Sequence, residues 1–212
     1  MASGLNNPVA LAFTPSGTLT YVLTNSQLLT IPVGGGATAV LAGQATVGFG
    51  NGLGIVAMFS GPSGLVVHPN TGVAYISDTY NYRIRTCTPL GLVSTLAGSG
   101  YSGSTSTNGA ALTATFNRPF GIVMDSTYTY LYVVCSMGNT LRRVDVISGY
   151  TTTVAGSGSA SSNDGTGLSA TFKGPTYEYR QIRFFYIFCV GAVNTVTPCM
   201  TQRTIVVNRG WG

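Results

Sequence analysis

One segment of this chain is written four times, and no other feature narrows its fold so far. The prolines Pro8, Pro62, Pro119 and Pro175 stand 54, 57 and 56 residues apart, and the tyrosines Tyr21, Tyr75, Tyr132 and Tyr186 stand 54, 57 and 54 apart. Asn81, Asn139 and Asn194 follow at spacings of 58 and 55. The pairs Asn51-Gly52, Asn108-Gly109 and Asp164-Gly165 each precede an Ala-x-Phe, namely Ala57 to Phe59, Ala114 to Phe116 and Ala170 to Phe172. Self-similarity at a fixed period marks an architecture of stacked units. The units run approximately 5–58, 59–115, 116–171 and 172–212, within a single domain 1–212.

Within each unit, short β-type runs alternate with turn residues. In the second unit the runs are Gly64–Val67, Val73–Ser77, Arg83–Cys87 and Leu92–Leu96, with the turn sequence Pro69-Asn-Thr-Gly72 joining the first two. Stretches such as Leu65-Val-Val and Tyr132-Val-Val are continuously apolar, as expected of strands covered on both faces. Arg83-Ile-Arg-Thr-Cys and Leu141-Arg-Arg-Val-Asp are more polar and suit a strand near the rim. No segment reads as a helix. Four antiparallel strands per unit, repeated, predict an all-β propeller of four four-stranded blades whose sheets bury their faces against one another. Gly-rich linkers such as Gly98 to Gly103 are expected to run between blades at one end.

The order Ala-x-Phe-x-x-Pro-x-Gly-(Leu/Ile), a Tyr-bearing strand, Asn-x-x-x-Arg and Thr-(Leu/Val)-Ala-Gly resembles the NHL repeat. Asn81-Tyr-Arg-Ile-Arg85 is similar to the Asn-His-Leu segment that characterises that family. The likeness is strong in the second and third units. In the fourth, Thr176 to Tyr179 replaces the expected Gly-(Ile/Leu) strand, and Val206 to Gly210 replaces Thr-Leu-Ala-Gly. The resemblance implies rings of about six blades, inside the roughly 4–8 known for propellers. Four units then form a small closed ring, an open array, or a fragment completed by more chain. The first repeat begins almost at Met1, which suits a piece of something longer.

Related propeller enzymes, lactonases and peptidyl-amide lyases, are implied by the resemblance to need His and carboxylate metal ligands near the axis. This chain has one His and five acids: Asp78, Asp125, Asp145, Asp164 and Glu178. Catalytic divalent sites need about three protein ligands placed together. His68 and Asp125 share one repeat position, with Thr14 in the first unit, and read as polar turn residues after an inner strand. Asp78 is expected to bond local backbone amides before the Asn81 turn. Asp164 has Asn at its two sister positions, which argues against a charge-dependent role. A lone His in a turn supports no Ser-His-Asp arrangement, and no Gly-rich segment ends in Gly-Lys-Ser/Thr. No catalytic residue, metal or cofactor is expected.

Arg83, Arg85, Arg142 and Arg143 lie on the third strand of adjacent blades. They form a candidate interaction stripe for an acidic partner, a sulfated glycan or RNA. The competing reading is that they solvate the strand or pair with Asp78 and Asp145. Cys189 and Cys199 fall opposite each other across a predicted hairpin, a candidate disulfide against the alternative of four buried thiols. Ser102, Ser104, Thr105, Ser106 and Thr107, with Ser159, Ser161 and Ser162, form Ser/Thr-rich loops suited to O-glycans or bare flexibility. No Asn-x-Ser/Thr acceptor occurs.

Composition sorts the function classes. Charged residues are 7% of the chain, and the net +5 comes from nine Arg and Lys173, spread without a basic tract. A dedicated nucleic-acid role is disfavoured. The N-terminus lacks a basic start and an apolar run, and the apolar stretch Phe184 to Val193, about ten residues, is too short to span a bilayer. Low charge, Ser/Thr-rich loops and a candidate disulfide favour an extracellular or cell-surface module, structural or adhesive, with partners among proteins, copies of itself or glycans. The alternative is a cytoplasmic scaffold binding protein or RNA, and a propeller lyase or lactonase ranks below both.

Overall fold

In a computed structural model, residues 5–102, 106–181, 184–188 and 206–207 are described, the last three strands by their backbone alone. The first unit is the antiparallel sheet β1 (Ala10–Phe13), β2 (Leu19–Leu23), β3 (Leu28–Pro32) and β4 (Ala39–Ala42), in that order. The second is β6 (Gly64–Val67), β7 (Ala74–Asp78), β8 (Arg83–Cys87) and β9 (Leu92–Ala97), with β5 (Gly52–Leu53) added outside β9. The third is β10 (Pro119–Met124), β11 (Tyr130–Cys135), β12 (Thr140–Asp145) and β13 (Thr151–Ala155). In the fourth, β15 (Tyr177–Gln181) pairs with β16 (Phe184–Phe188), and β14 (Gly165–Thr166) pairs with β17 (Val206–Val207). The fold is a β-propeller array.

The first strands of consecutive units, β1, β6, β10 and β15, meet in series and form the inner end of the blades. The linkers do more than connect. Gly52–Leu53 pairs with Val93 and Leu92, Gly109 bridges Thr151, and Gly165–Thr166 pairs with Val207 and Val206. Each linker thus lays a short strand on the outer edge of the blade that follows it, covering an edge otherwise open to pairing. Helix is present after all, as single 3-10 turns at Gly54–Val56, Thr79–Asn81 and Gly167–Ser169. The two linker turns open on glycines at φ 57° and 52°, which admit the tight reversal that alternation in the sequence does not signal.

A recurring joint holds the blades together. Phe59, Phe116 and Phe172, the aromatic residues of the Ala-x-Phe motif, are buried. Each clusters with the outer strands of the preceding blade: Phe59 with Leu23, Leu28 and Ala42, Phe116 with Ile84 and Ala97, Phe172 with Leu141 and Ala155. Gly43, Gly98 and Gly156 follow those alanines at φ 97°, 108° and 93°. A Cβ there would lie 2.4, 2.6 and 2.4 Å from the carbonyl oxygens of Ser26, Tyr82 and Asn139, with the joint phenylalanine on its other side. Handedness and space both demand glycine.

Candidate functional site

A buried arginine cradle sits at the boundary between the first and second units, and again between the second and third. In each described blade the third and fourth strands slip register at one place, with the extra residue on the fourth: Leu41 opposite Leu28/Leu29, Leu96 opposite Ile84/Arg85 and Val154 opposite Leu141/Arg142. The third strand itself is regular and pairs with the second without a slip. On that strand Arg85 and Arg142 are 0% exposed. The Arg85 Nη1 donates to Asp78 Oδ2 at 2.6 Å and to the Met58 carbonyl at 3.2 Å. Its Nη2 donates to the Gly50 carbonyl at 2.7 Å and to Asn51 Oδ1 at 2.8 Å. Arg142 repeats the pattern, donating to the Thr115 carbonyl at 2.8 Å, the Thr107 carbonyl at 2.7 Å and Asn108 Oδ1 at 3.2 Å.

One partner changes between the two copies. Asp78 is fixed by the Ser60 backbone N–H at 2.8 Å on Oδ1 and by Asn81 Nδ2 at 2.8 Å on Oδ2. Its repeat equivalent is Cys135, buried beside Arg142. Burial pushes the Asp78 carboxyl up, and the Ser60, Asn81 and Arg85 donors pull it back. Burial likewise lowers Arg85 and Arg142. The Cys135 thiol is pushed up to about 11 by burial, against the pull of Arg142. A guanidinium bound mainly by carbonyl dipoles is held without a carboxylate, a costlier arrangement than the Asp78–Arg85 pair.

These contacts set aside the interaction stripe at Arg85 and Arg142 and match the competing reading at Arg85, which pairs with Asp78. Arg85 and Arg142 form no solvent-facing stripe, because Gly50, Asn51 and Met58 of one linker close over Arg85 and Thr107, Asn108 and Thr115 of the next close over Arg142. Arg142 and Arg143, adjacent on an extended strand, point to opposite faces. Arg83 is half-buried, lies 3.9 Å over the Phe49 ring and donates to the Asn81 and Ser99 carbonyls. Arg143 is half-buried, 4.6 Å over Tyr130. Nor does Asp78 serve local amides alone, since Ser60 comes from the linker eighteen residues earlier. The third strand is polar because it carries the cradle, not because it faces water. Asn51 and Asn108 were missed as partners. Their signal was the constant offset of 34 residues to Arg85 and Arg142.

The remaining candidates have plainer surroundings. His68 Nδ1 accepts from the Asn70 N–H at 3.2 Å, and its ring lies 5.5 Å from that of Tyr128. Asp125 Oδ1 accepts from the Thr129 and Tyr130 N–H groups, both at 2.9 Å, and Thr14 Oγ1 accepts from Leu19 N–H at 3.3 Å. All three fasten the first turn of their blades. Asp145 does the same for the last turn through Ile147 and Ser148, whose N–H donors hold its carboxyl below the usual range. Among the described residues no three His, Cys, Asp or Glu side chains are grouped as metal ligands.

Cys87 and Cys135 are free and buried. Cys189, Cys199, Ser104 and Thr105 lie outside the described residues, and so does the side chain of Glu178. Ser102, Ser159 and Ser162 are exposed, whereas Ser106 and Ser161 are half-buried. Thr107 Oγ1 lies 3.0 Å from Thr115 Oγ1 and its carbonyl belongs to the Arg142 cradle. Among the described residues no helix is long and apolar enough to cross a membrane.

No protein-family model matches the chain, and no curated protein is similar to it. Solved structures are. A Bacteroides thetaiotaomicron protein of unknown function is 26% identical, with a TM-score of 0.67 over 81% of this chain and 41% of its own. An auxiliary nutrient binding protein of the same organism is 25% identical, with a TM-score of 0.52 over 60% of this chain and 34% of its own. A chain of the nidogen/laminin complex is 14% identical, with a TM-score of 0.61 over 88% of this chain and 57% of its own. The chain therefore spans about two fifths of the first of these and a third of the second.

Proposed function

We propose that this chain is a non-catalytic propeller module of the NHL type that binds a macromolecular partner outside the cell or at its surface, in a structural or adhesive role. The observation that carries this reading is the use to which the described acids and the buried arginines are put. Asp78 and Arg85 clasp the linker that enters the second blade, Arg142 clasps the linker that enters the third, and Asp125 and Asp145 fasten turns. Asp164 is exposed in a linker where its sister positions hold Asn51 and Asn108. Chemistry at a site needs titratable groups free to face a substrate. The likeness to an auxiliary nutrient binding protein supports binding as the activity. The low charge and the exposed Ser102, Ser159 and Ser162 support an extracellular setting, with glycans or proteins as ligands.

The test has two arms. A membrane-impermeant label applied to intact source cells should tag the chain, and labelling only after lysis would overturn the surface setting. Binding to a panel of neutral and sulfated polysaccharides should survive the double substitution His68→Ala and Asp125→Asn. Retention of RNA alone, with affinity falling steeply as salt rises, would replace this reading with nucleic-acid binding.

A further inference from the structure

The two arginine cradles share their linker acceptors and differ in what surrounds the rest of the guanidinium. Strand register equates Asp78 with Cys135 and Arg83 with Thr140. It also equates Asn81 with Gly138, one residue short of the Asn139 that sequence spacing pairs with Asn81. Phe49 and Ser106 stand two residues before Asn51 and Asn108, the equivalent acceptors. At all four positions the second cradle has the smaller side chain.

In the first cradle these positions complete the site. The Arg85 Nη1 divides its hydrogens between Asp78 and the Met58 carbonyl. Asn81 Nδ2 donates to Asp78 Oδ2 and to the Gly48 carbonyl, both at 2.8 Å. The Phe49 ring lies 3.9 Å from the Arg83 guanidinium carbon and 5.0 Å from that of Arg85. In the second cradle the Arg142 Nη1 has the Thr115 carbonyl at 2.8 Å and, among the described residues, no second oxygen acceptor. The hydroxyl oxygens of Ser106 and Thr140 are buried with no hydrogen-bond partner among the described residues, and Thr140 is 5% exposed. These groups converge. A Cβ built on Gly138 would lie 2.7 Å from Ser106 Oγ, 3.1 Å from Cys135 Cβ and 3.3 Å from Asn117 Cβ, and Thr140 stands opposite Cys135 in the ladder.

Hydroxyls, a backbone N–H and a guanidinium N–H can all donate here, and no carboxylate receives them. Burial pushes the Cys135 thiol up to about 11, so it brings no negative charge at neutral pH. A buried cation without a counter-charge is costly. We propose that the second cradle binds a small inorganic monoanion of the chloride class, held by Arg142, the Asn117 N–H, Ser106 and Thr140 where the first cradle has the Asp78 carboxylate. The linker entering the third blade is then clasped more tightly when the anion is bound, whereas the linker before it is clasped by a carboxylate of the chain. The inference rests on the paired cradles and is independent of the ligand and setting proposed above.

Thermal unfolding in sodium chloride and in sodium gluconate at equal ionic strength tests it. The wild type is expected to melt about 2–4 °C higher in chloride, with a rise that saturates. Cys135→Asp, which supplies the carboxylate, should lose that rise. Ser106→Ala and Thr140→Val should each increase the chloride concentration that gives half of it. Crystals of the wild type grown in bromide should show an anomalous peak within hydrogen-bond reach of Arg142 Nη1, which decides the matter should Cys135→Asp fail to fold. Equal wild-type melting in the two salts, a full chloride rise in Cys135→Asp, or no bromide at Arg142 overturns the proposal.

Discussion

At the scale of single residues, Asp78 is the most consequential side chain in the described structure. Its removal leaves Arg85 buried with carbonyl and amide acceptors only. Asp78→Ala is expected to cost about 3–5 kcal/mol, read from urea unfolding, as for other broken buried pairs. The second cradle supplies the control, because there a thiol already stands at that position. Asp78→Cys should cost clearly less than Asp78→Ala, and Cys135→Asp should fold, with Asn117 N–H and Arg142 ready to receive the carboxylate. The thiols themselves should be inert. Burial pushes Cys87 up to about 12 and Cys135 to about 11, so little thiolate forms at pH 8. Mass mapping after maleimide treatment should find both unmodified in the folded protein and both modified in urea.

At the scale of the element, the third strand shows where sequence reading succeeds and where it stops. The strands of the second unit were legible to within a residue at either end, because Gly72 and Gly91 punctuate apolar runs. The burial of Arg85 was not. Alternation puts Arg83, Arg85 and Cys87 on one face of β8, but it does not say that the linker carrying Gly50 and Asn51 covers that face at Arg85. Asp78 was misread for a related reason, since its partner Ser60 belongs to a linker that looks unstructured when read in isolation. The joint between blades gives a prediction at this scale. Phe116→Ala should cost about 3–5 kcal/mol by leaving a cavity between two blades. Gly98→Ala should also destabilise, despite its small size, because the added methyl meets the Tyr82 carbonyl at 2.6 Å. Thermal melts of the two variants check both.

At the scale of the molecule, stability is expected to behave as a sum over units and the joints between them. Cutting one joint should then uncouple what lies on either side. Phe116→Ala is expected to split unfolding into two transitions, the first lost with the weaker half, where the wild type unfolds in one. Calorimetry checks this through the ratio of measured to van't Hoff enthalpy, near unity for wild type and above it for the variant. The periodic marker residues made the number of units and their all-β character visible before any coordinates. The fourth unit was hardest to read because its markers are the most altered, and its pairing of Gly165–Thr166 with Val206–Val207 emerges only from the fold.

The cradle also carries a timetable. Asn51 and Asn108 are synthesised 34 residues before the arginines that grip them. At about 5–20 residues per second, each linker waits roughly 2–7 s on the ribosome before its clasp arrives. During that interval the emerging peptide has no anchor for its newest segment, so the second and third blades are sealed retrospectively, by a strand that has yet to be translated when its linker appears.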